Sequence, residues 1–265
     1  MFFMDQRKNV SKKWLFILPL LFLFTLSSMA QDSTAAKHKW QVQAEVYLMF
    51  AKLNGTVGAG NLPDANVKAN FGDIFKKLKM AAMLYTEAAK GKWAISSDLI
   101  YMKLAQDVTP GTIINSGKVT VKQFSWELAG LRKLLPWLEA GIGARINSLD
   151  TKVDLVTNNI IGGGTTVRNK SITQTWVDPV IIARIKSDPV KKFIYQFRGD
   201  IGGFGLGSDF AWQIQAYAGW RFSKLFQLTG GYWVIGVDYN KGSGENRFLY
   251  DVNTFGPVLR FGFNF

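Results

Sequence analysis

From Trp40 onward the sequence is dominated by alternation of apolar with polar or very small side chains, the period-two signature of half-buried strands. In the first segment, Trp40 to Lys52, Trp40, Val42, Ala44, Val46, Leu48 and Phe50 share one face, and Gln41, Gln43, Glu45 and Tyr47 share the other. Further segments of this kind run over Lys79 to Lys90, Trp93 to Leu104, Lys118 to Arg132, Trp137 to Leu149 and Ile172 to Lys186, then Phe193 to Phe204, Phe210 to Phe222, Phe226 to Tyr239 and Phe248 to Phe265. Each meets the roughly nine to eleven residues that a tilted strand needs to cross a bilayer. Their number is even, as required when a closed barrel has both termini on one side. The final segment puts Leu259, Phe261, Phe263 and Phe265 on one face and Arg260, Gly262 and Asn264 on the other, and stops on an aromatic carboxy-terminus. This reads as the closing strand and assembly signal of an outer-membrane barrel, recognised by the insertion machinery of that membrane.

The connections alternate in length, as the turns and loops of membrane barrels do. Gly91-Lys92, Lys133 to Pro136, Ser187 to Lys192 and Ser223 to Leu225 are short; Asn54 to Leu78, Ala105 to Gly117, Asp150 to Ser171 and Asn240 to Arg247 are long. Gly205 to Asp209 breaks the alternation by being brief. Inside the first long connection, Phe71 to Lys77 reads as a short amphipathic helix packing on its own loop. The prediction is an all-β fold: a closed antiparallel up-and-down transmembrane β-barrel of about ten strands, with eight as the smaller alternative.

Residues 1–30 are excluded from that fold. Arg7, Lys8, Lys12 and Lys13 precede an apolar run from Trp14 to Leu26, and Ser28-Met29-Ala30 gives a small-x-small cleavage site, the three parts of a secretory signal peptide. Residues 31–265 then form one barrel domain, since no Pro/Ser-rich linker divides them. The formal net charge is +13; removing Arg7, Lys8, Lys12 and Lys13 against Asp5, a net +3, leaves +10. For an exported chain this surplus points to lipopolysaccharide phosphates and lipid headgroups and away from nucleic acid. The chain has no cysteine, so no disulfide frames the fold, and a monomer is expected.

On this register Glu127, Glu139, Arg145, Asp178, Arg184, Arg198 and Asp200 point into the lumen. A narrow barrel tolerates such groups only as a network of both signs, so they are expected to form an ion-paired plug, with a narrow polar pore as the alternative. Trp40, Trp93, Trp176, Trp212, Trp220, Tyr195, Tyr232 and Tyr239 are expected to form aromatic girdles at the lipid interfaces. Gly141, Gly143, Gly199, Gly202, Gly219 and Gly262 make room for large neighbours within the strands.

No catalytic, cofactor or metal site is expected. The one histidine, His38, precedes the first strand, and without cysteine neither a Ser/His/Asp nor a Cys/His device can be assembled. Arginines near Glu127 and Glu139 would hold both carboxylates ionised rather than separate their proton affinities. Arg198-Gly199-Asp200 spells an adhesion tripeptide but falls within a strand, and the glycines from Gly202 to Gly207 lack the helix of a dinucleotide fingerprint.

Several blocks also carry a resemblance. Trp176-Val177-Asp178-Pro179, the run from Arg198 to Asp209 with Trp212-Gln213, Tyr250-Asp251, and Gly256-Pro257 are similar to porin-like outer-membrane β-barrel proteins of Gram-negative bacteria. Ile182 and Trp233 depart from that pattern, where a small residue and an arginine are expected. The resemblance implies fold and location and supplies no substrate. The competing reading is a soluble exported barrel carrying a hydrophobic ligand, as lipocalins do; it requires apolar residues inside instead of outside.

Overall fold

The computed structural model of the chain describes residues 39–61, 63–108, 110–111, 114–158, 163–188 and 191–265. Residues 1–38, which include the expected signal segment and His38, lie outside the described residues. The elements are β1 (Gln41–Met49), β2 (Lys52–Ala59), β3 (Ala65–Ala69), α1 (Phe71–Lys77), β4 (Leu78–Lys90), β5 (Trp93–Asp107) and β6 (Ile114–Leu135), followed by β7 (Leu138–Asn158), β8 (Thr165–Lys186), β9 (Phe193–Gly202), β10 (Phe210–Arg221), β11 (Phe226–Lys241) and β12 (Phe248–Asn264). β1 and β4 to β12 pair in series, and the β1–β12 ladder closes them into a ten-stranded cylinder. That closure places Val46 opposite Phe261 and Leu48 opposite Leu259. β2 and β3 are additions: β2 continues beside the first half of β12, and β3 folds back on β2.

The exterior of the cylinder is apolar. Val46, Ile95, Leu128, Ile142, Ile181, Phe197, Ile214 and Phe261 all stand exposed on it, while Glu45, Asp98, Glu127, Arg145, Arg198 and Arg260 are buried inside. This is the reverse of a soluble carrier, whose apolar side chains line the lumen, and it identifies lipid as the solvent around the middle of the molecule. No described helix is long and apolar enough to cross a membrane.

Two of the long connections are themselves strand. β6, β7 and β8 have 22, 21 and 22 residues, so Ala105 to Gly117 and Asp150 to Ser171 are largely ladder where loop was expected. The alternation inverts along these strands. In the belt the outward residues of β6 and β7 are Trp126, Leu128, Ile142 and Ile146; farther out they are Lys118, Lys122, Asp150, Lys152 and Asp154, with Val119, Val121, Val153 and Leu155 on the inward side. Water replaces lipid as the outer solvent there, so the apolar side of each strand changes face. Asn54 to Leu78 departs from the expected loop by containing most of β2 and all of β3, while α1 covers Phe71–Lys77, where a short helix was expected. Asn70 caps α1, accepting from the Asp73 backbone N–H at 3.0 Å while the Asp73 carboxylate accepts from the Asn70 N–H at 3.2 Å.

The expected girdle holds in part. Trp40, Trp93, Trp220, Tyr195 and Tyr232 stand exposed, and Lys90 and Arg132 lie over the Trp40 and Trp93 rings at 5.5 and 5.4 Å. Trp176 and Tyr239 instead point inward and stack on each other with centroids 4.4 Å apart. Strand parity demands this for Trp176, which lies two residues from the inward Asp178.

Candidate functional site

Three clusters of buried charge cross the lumen. Nearest the periplasmic end, Arg184 pairs with Glu87 and Glu139, its Nε donating to Glu139 Oε2 at 2.8 Å and its Nη1 to the Tyr85 hydroxyl at 2.8 Å. Lys186 bridges the same two carboxylates at 3.0 Å each. Above it, Arg145 donates to Glu127 at 2.6 Å and Asp200 at 2.7 Å, and Arg198 donates to the same pair at 2.5 and 3.0 Å. Gln213 donates to Asp200 and accepts from the Trp233 indole at 2.8 Å. The third cluster centres on Arg260. Its guanidinium donates to Glu45 at 2.9 Å and to the Tyr217 hydroxyl at 3.1 Å, with its carbon 4.6 Å from the Tyr47 ring centroid and 4.2 Å from that of Tyr217. Tyr85 and Trp233 complete the ring of aromatics at 5.5 and 6.0 Å. The Tyr47 hydroxyl in turn donates to Asp98 at 2.5 Å.

Paired charge reconciles these groups with a narrow interior: an isolated buried ion costs several kcal/mol, and each carboxylate here meets at least one cationic or hydroxyl donor. Space comes from glycine. A Cβ on Gly262 would sit 2.7 Å from Gln227 Cγ and 3.1 Å from Glu45 Oε1, where those side chains now lie.

All seven lumen residues named from the sequence are buried, but they do not form one network. Glu139 and Arg184 belong to the lower cluster, and Glu127, Arg145, Arg198 and Asp200 to the middle one. Asp178 belongs to neither and is corrected here from ion-pair member to loop anchor. It is 0% exposed and accepts from the Ser208 N–H at 2.6 Å, the Ser208 hydroxyl at 3.0 Å, Asn147 at 3.0 Å and the Trp176 indole at 3.1 Å. The bonds to Ser208 hold the β9–β10 turn against the inner wall. The turn reverses through left-handed backbone at Gly203, Phe204 and Gly205, with φ of 85°, 51° and 77°. Sequence reasoning did not single out Glu87, Asp98, Gln213 or Arg260 for the network; their inward parity was the available signal. The adhesion tripeptide is inaccessible, since Arg198 and Asp200 bond to each other inside the barrel.

The charged layer divides two spaces. Below it a vestibule of about 650 Å³ opens to the periplasmic end, lined by Lys92, Lys133, Lys186, Arg221 and Lys224 among others. Above it the lumen turns apolar, with Leu149, Trp176 and Tyr239 packed on Val237, Phe248 and Tyr250.

A closed antiparallel cylinder with lipid-facing apolar walls and an ion-paired interior defines an integral outer-membrane β-barrel. No protein-family model and no curated protein matches the chain. Solved structures of similar architecture include the outer-membrane protease OmpT of Escherichia coli, at 10% identity and TM-score 0.46 over 89% of this chain and 99% of that one. Others are Ail of Yersinia pestis, at 10% identity and TM-score 0.37 over 85% and 98%, and the Pseudomonas putida toluene transporter TodX, at 9% identity and TM-score 0.32 over 88% and 91%. At such identities the likeness is one of barrel shape alone.

Proposed function

We propose that this protein is a plugged, non-catalytic barrel that anchors long external hairpins at the cell surface and conducts no solutes. The observation that carries this reading is the middle cluster, where Arg145 and Arg198 share Glu127 and Asp200 across the lumen with side chains at most 7% exposed. An open pore lined by the same charges would leave them hydrated. Lys103, Lys118, Lys122 and Lys152 sit outward above the apolar belt, where lipopolysaccharide phosphates would meet them. The outward row of Leu259, Phe261, Phe263 and Phe265 serves the insertion machinery; deleting Phe265 should reduce recovery in outer membranes while leaving refolding in detergent intact.

Planar-bilayer recording tests the plug. The wild-type protein should give no stepwise current, and Arg198→Ala or Glu139→Ala should open measurable leaks. Steady wild-type conductance that changes with those substitutions overturns the plug in favour of a narrow pore.

A further inference from the structure

The cylinder is incomplete on one side. β1 and β4 pair only from Gln41 opposite Ala89 to Val46 opposite Leu84, yet β1 runs on to Met49 along β12 and β4 begins at Leu78 beside β5. Above Val46 and Leu84 the two strands therefore share no ladder. Lys79 to Ala82 are exposed on both faces of β4, which a closed wall would not permit. The separated edges are spanned by α1, with Phe71 against Phe50 at 4.8 Å and Ile74 buried beneath the helix. At about 2.5 Å of height per tilted residue, the seam opens about 15 Å above the periplasmic edge, inside the outer half of an apolar band about 25 Å tall.

A cavity of about 100 Å³ runs inward from this seam. Its mouth is formed by Leu48, Phe75, Ala81 and Met83, and its chamber by Ile100, Met102, Ile235, Val237 and Val252 together with the polar Gln123, Ser125, Asn147 and Thr254. Leu48 and Phe75 are exposed on the outer surface, so a single apolar surface passes from the lipid side through the wall. The floor is the top of the charged layer, where Asp98, Glu127, Arg145 and Gln213 line the cavity. A dry apolar cavity of about 150 Å³ accepts a molecule the size of benzene, so this space is on the scale of one ring.

From the apolar mouth and chamber walls and the unpaired seam, we infer that the outer lumen is a binding site for a small uncharged hydrophobic molecule of about one ring. It enters sideways from the outer leaflet past Met83 and Phe75, and a hydroxyl on it meets the polar part of the lining at Gln123, Ser125 and Asn147. The Asp98 and Glu127 carboxylates on the floor disfavour an anion. The site lies above the charged layer and goes beyond the plugged-barrel reading, since a bound molecule need not cross to the periplasm.

The test uses ¹⁹F NMR of the full barrel in phosphatidylcholine nanodiscs, with 4-fluorobenzyl alcohol as probe. A saturable bound signal, displaced by unlabelled benzyl alcohol, is expected. Ile235→Trp, which fills the chamber, should weaken it at least tenfold, and Met83→Trp, which narrows the mouth, should slow exchange between the free and bound signals at least tenfold; 4-fluorobenzoate should bind at least tenfold more weakly than the alcohol. Val237→Phe and Leu48→Phe are the gentler substitutions if either tryptophan variant fails to fold, judged by heat-shifted gel migration. Signal no greater than in protein-free nanodiscs overturns the site, and an exchange rate indifferent to the Met83 and Leu48 substitutions overturns the sideways entrance.

Discussion

Arg260 on the last strand donates to Glu45 on the first at 2.9 Å, so a buried ion pair spans the seam at which the barrel closes. The aromatic ring around Arg260 and the Gln227 amide on Glu45, at 2.9 Å, hold both partners in place. Arg260→Ala leaves Glu45 buried without its cation and should destabilise the barrel by about 3–5 kcal/mol. Arg260→Lys keeps the charge but loses the flat stacking surface and should fall between. Urea unfolding in lipid vesicles, followed by tryptophan fluorescence, gives both values; an unchanged Arg260→Ala midpoint would show that the closure does not depend on the pair.

Ile142 and Val167 are 71% and 67% exposed, nearly equal, but the first lies in the belt and the second on the external part of β8. Arginine at a lipid-facing position near the midplane costs about 2–4 kcal/mol, whereas on a water-facing strand it costs little. Ile142→Arg should therefore be strongly destabilising and Val167→Arg close to neutral in the same unfolding assay. Equal costs would contradict lipid as the solvent of the belt.

Asp178 holds Ser208 through two bonds, at 2.6 and 3.0 Å, and thereby tucks in the β9–β10 turn. Asp178→Ala removes the acceptor from four donors and should free the turn while the ladders persist. Protection of the Ser208 amide against hydrogen exchange should drop sharply, and proteolytic cuts should appear between Gly203 and Asp209. Retention of wild-type protection would mean that the ladders, not Asp178, hold the turn.

Arg247 grips Asp64 through two bonds, at 2.7 and 2.9 Å, on the external side. Hydrogen bonding from Arg247, reinforced by its charge, holds the Asp64 carboxyl below the usual range. A depressed carboxylate stabilises the folded hairpin above its ordinary value of about 3.9, and the contribution is lost as pH falls through the lower folded value. Asp238 has the opposite sign: burial, then Asp251 and Asp209, raise its carboxyl, so its ionisation opposes folding as pH rises. Carbon-detected NMR titration of the aspartates should show these opposite displacements, and Arg247→Ala should return Asp64 toward the ordinary range. A titration of Asp64 unaffected by Arg247→Ala would exclude the grip.

Much of the belt was legible from alternation alone, because one solvent acts along its whole length: Val46, Leu128, Ile142 and Phe261 face out, and Glu127, Arg145 and Arg198 face in. The pattern misled where the solvent changed. Asp150 to Ser171 read as loop because its apolar residues had moved to the inner face, and Trp176 and Tyr239 read as interface aromatics because residue type outweighed the strand parity that turns both inward. Asp178 read as an ion-pair member because inward parity does not name a partner, and its partner Ser208 lies on the turn after the next strand.

The sequence by itself determined strand parity, strand order and the chain ends that meet at closure, since these follow from period two and from up-and-down connectivity. Only the tertiary structure decided which charges pair, that β1 and β4 part above Val46, and that the outer lumen is apolar. Those outcomes depend on tilt, stagger and curvature, which bring residues from distant strands to one height inside the cylinder.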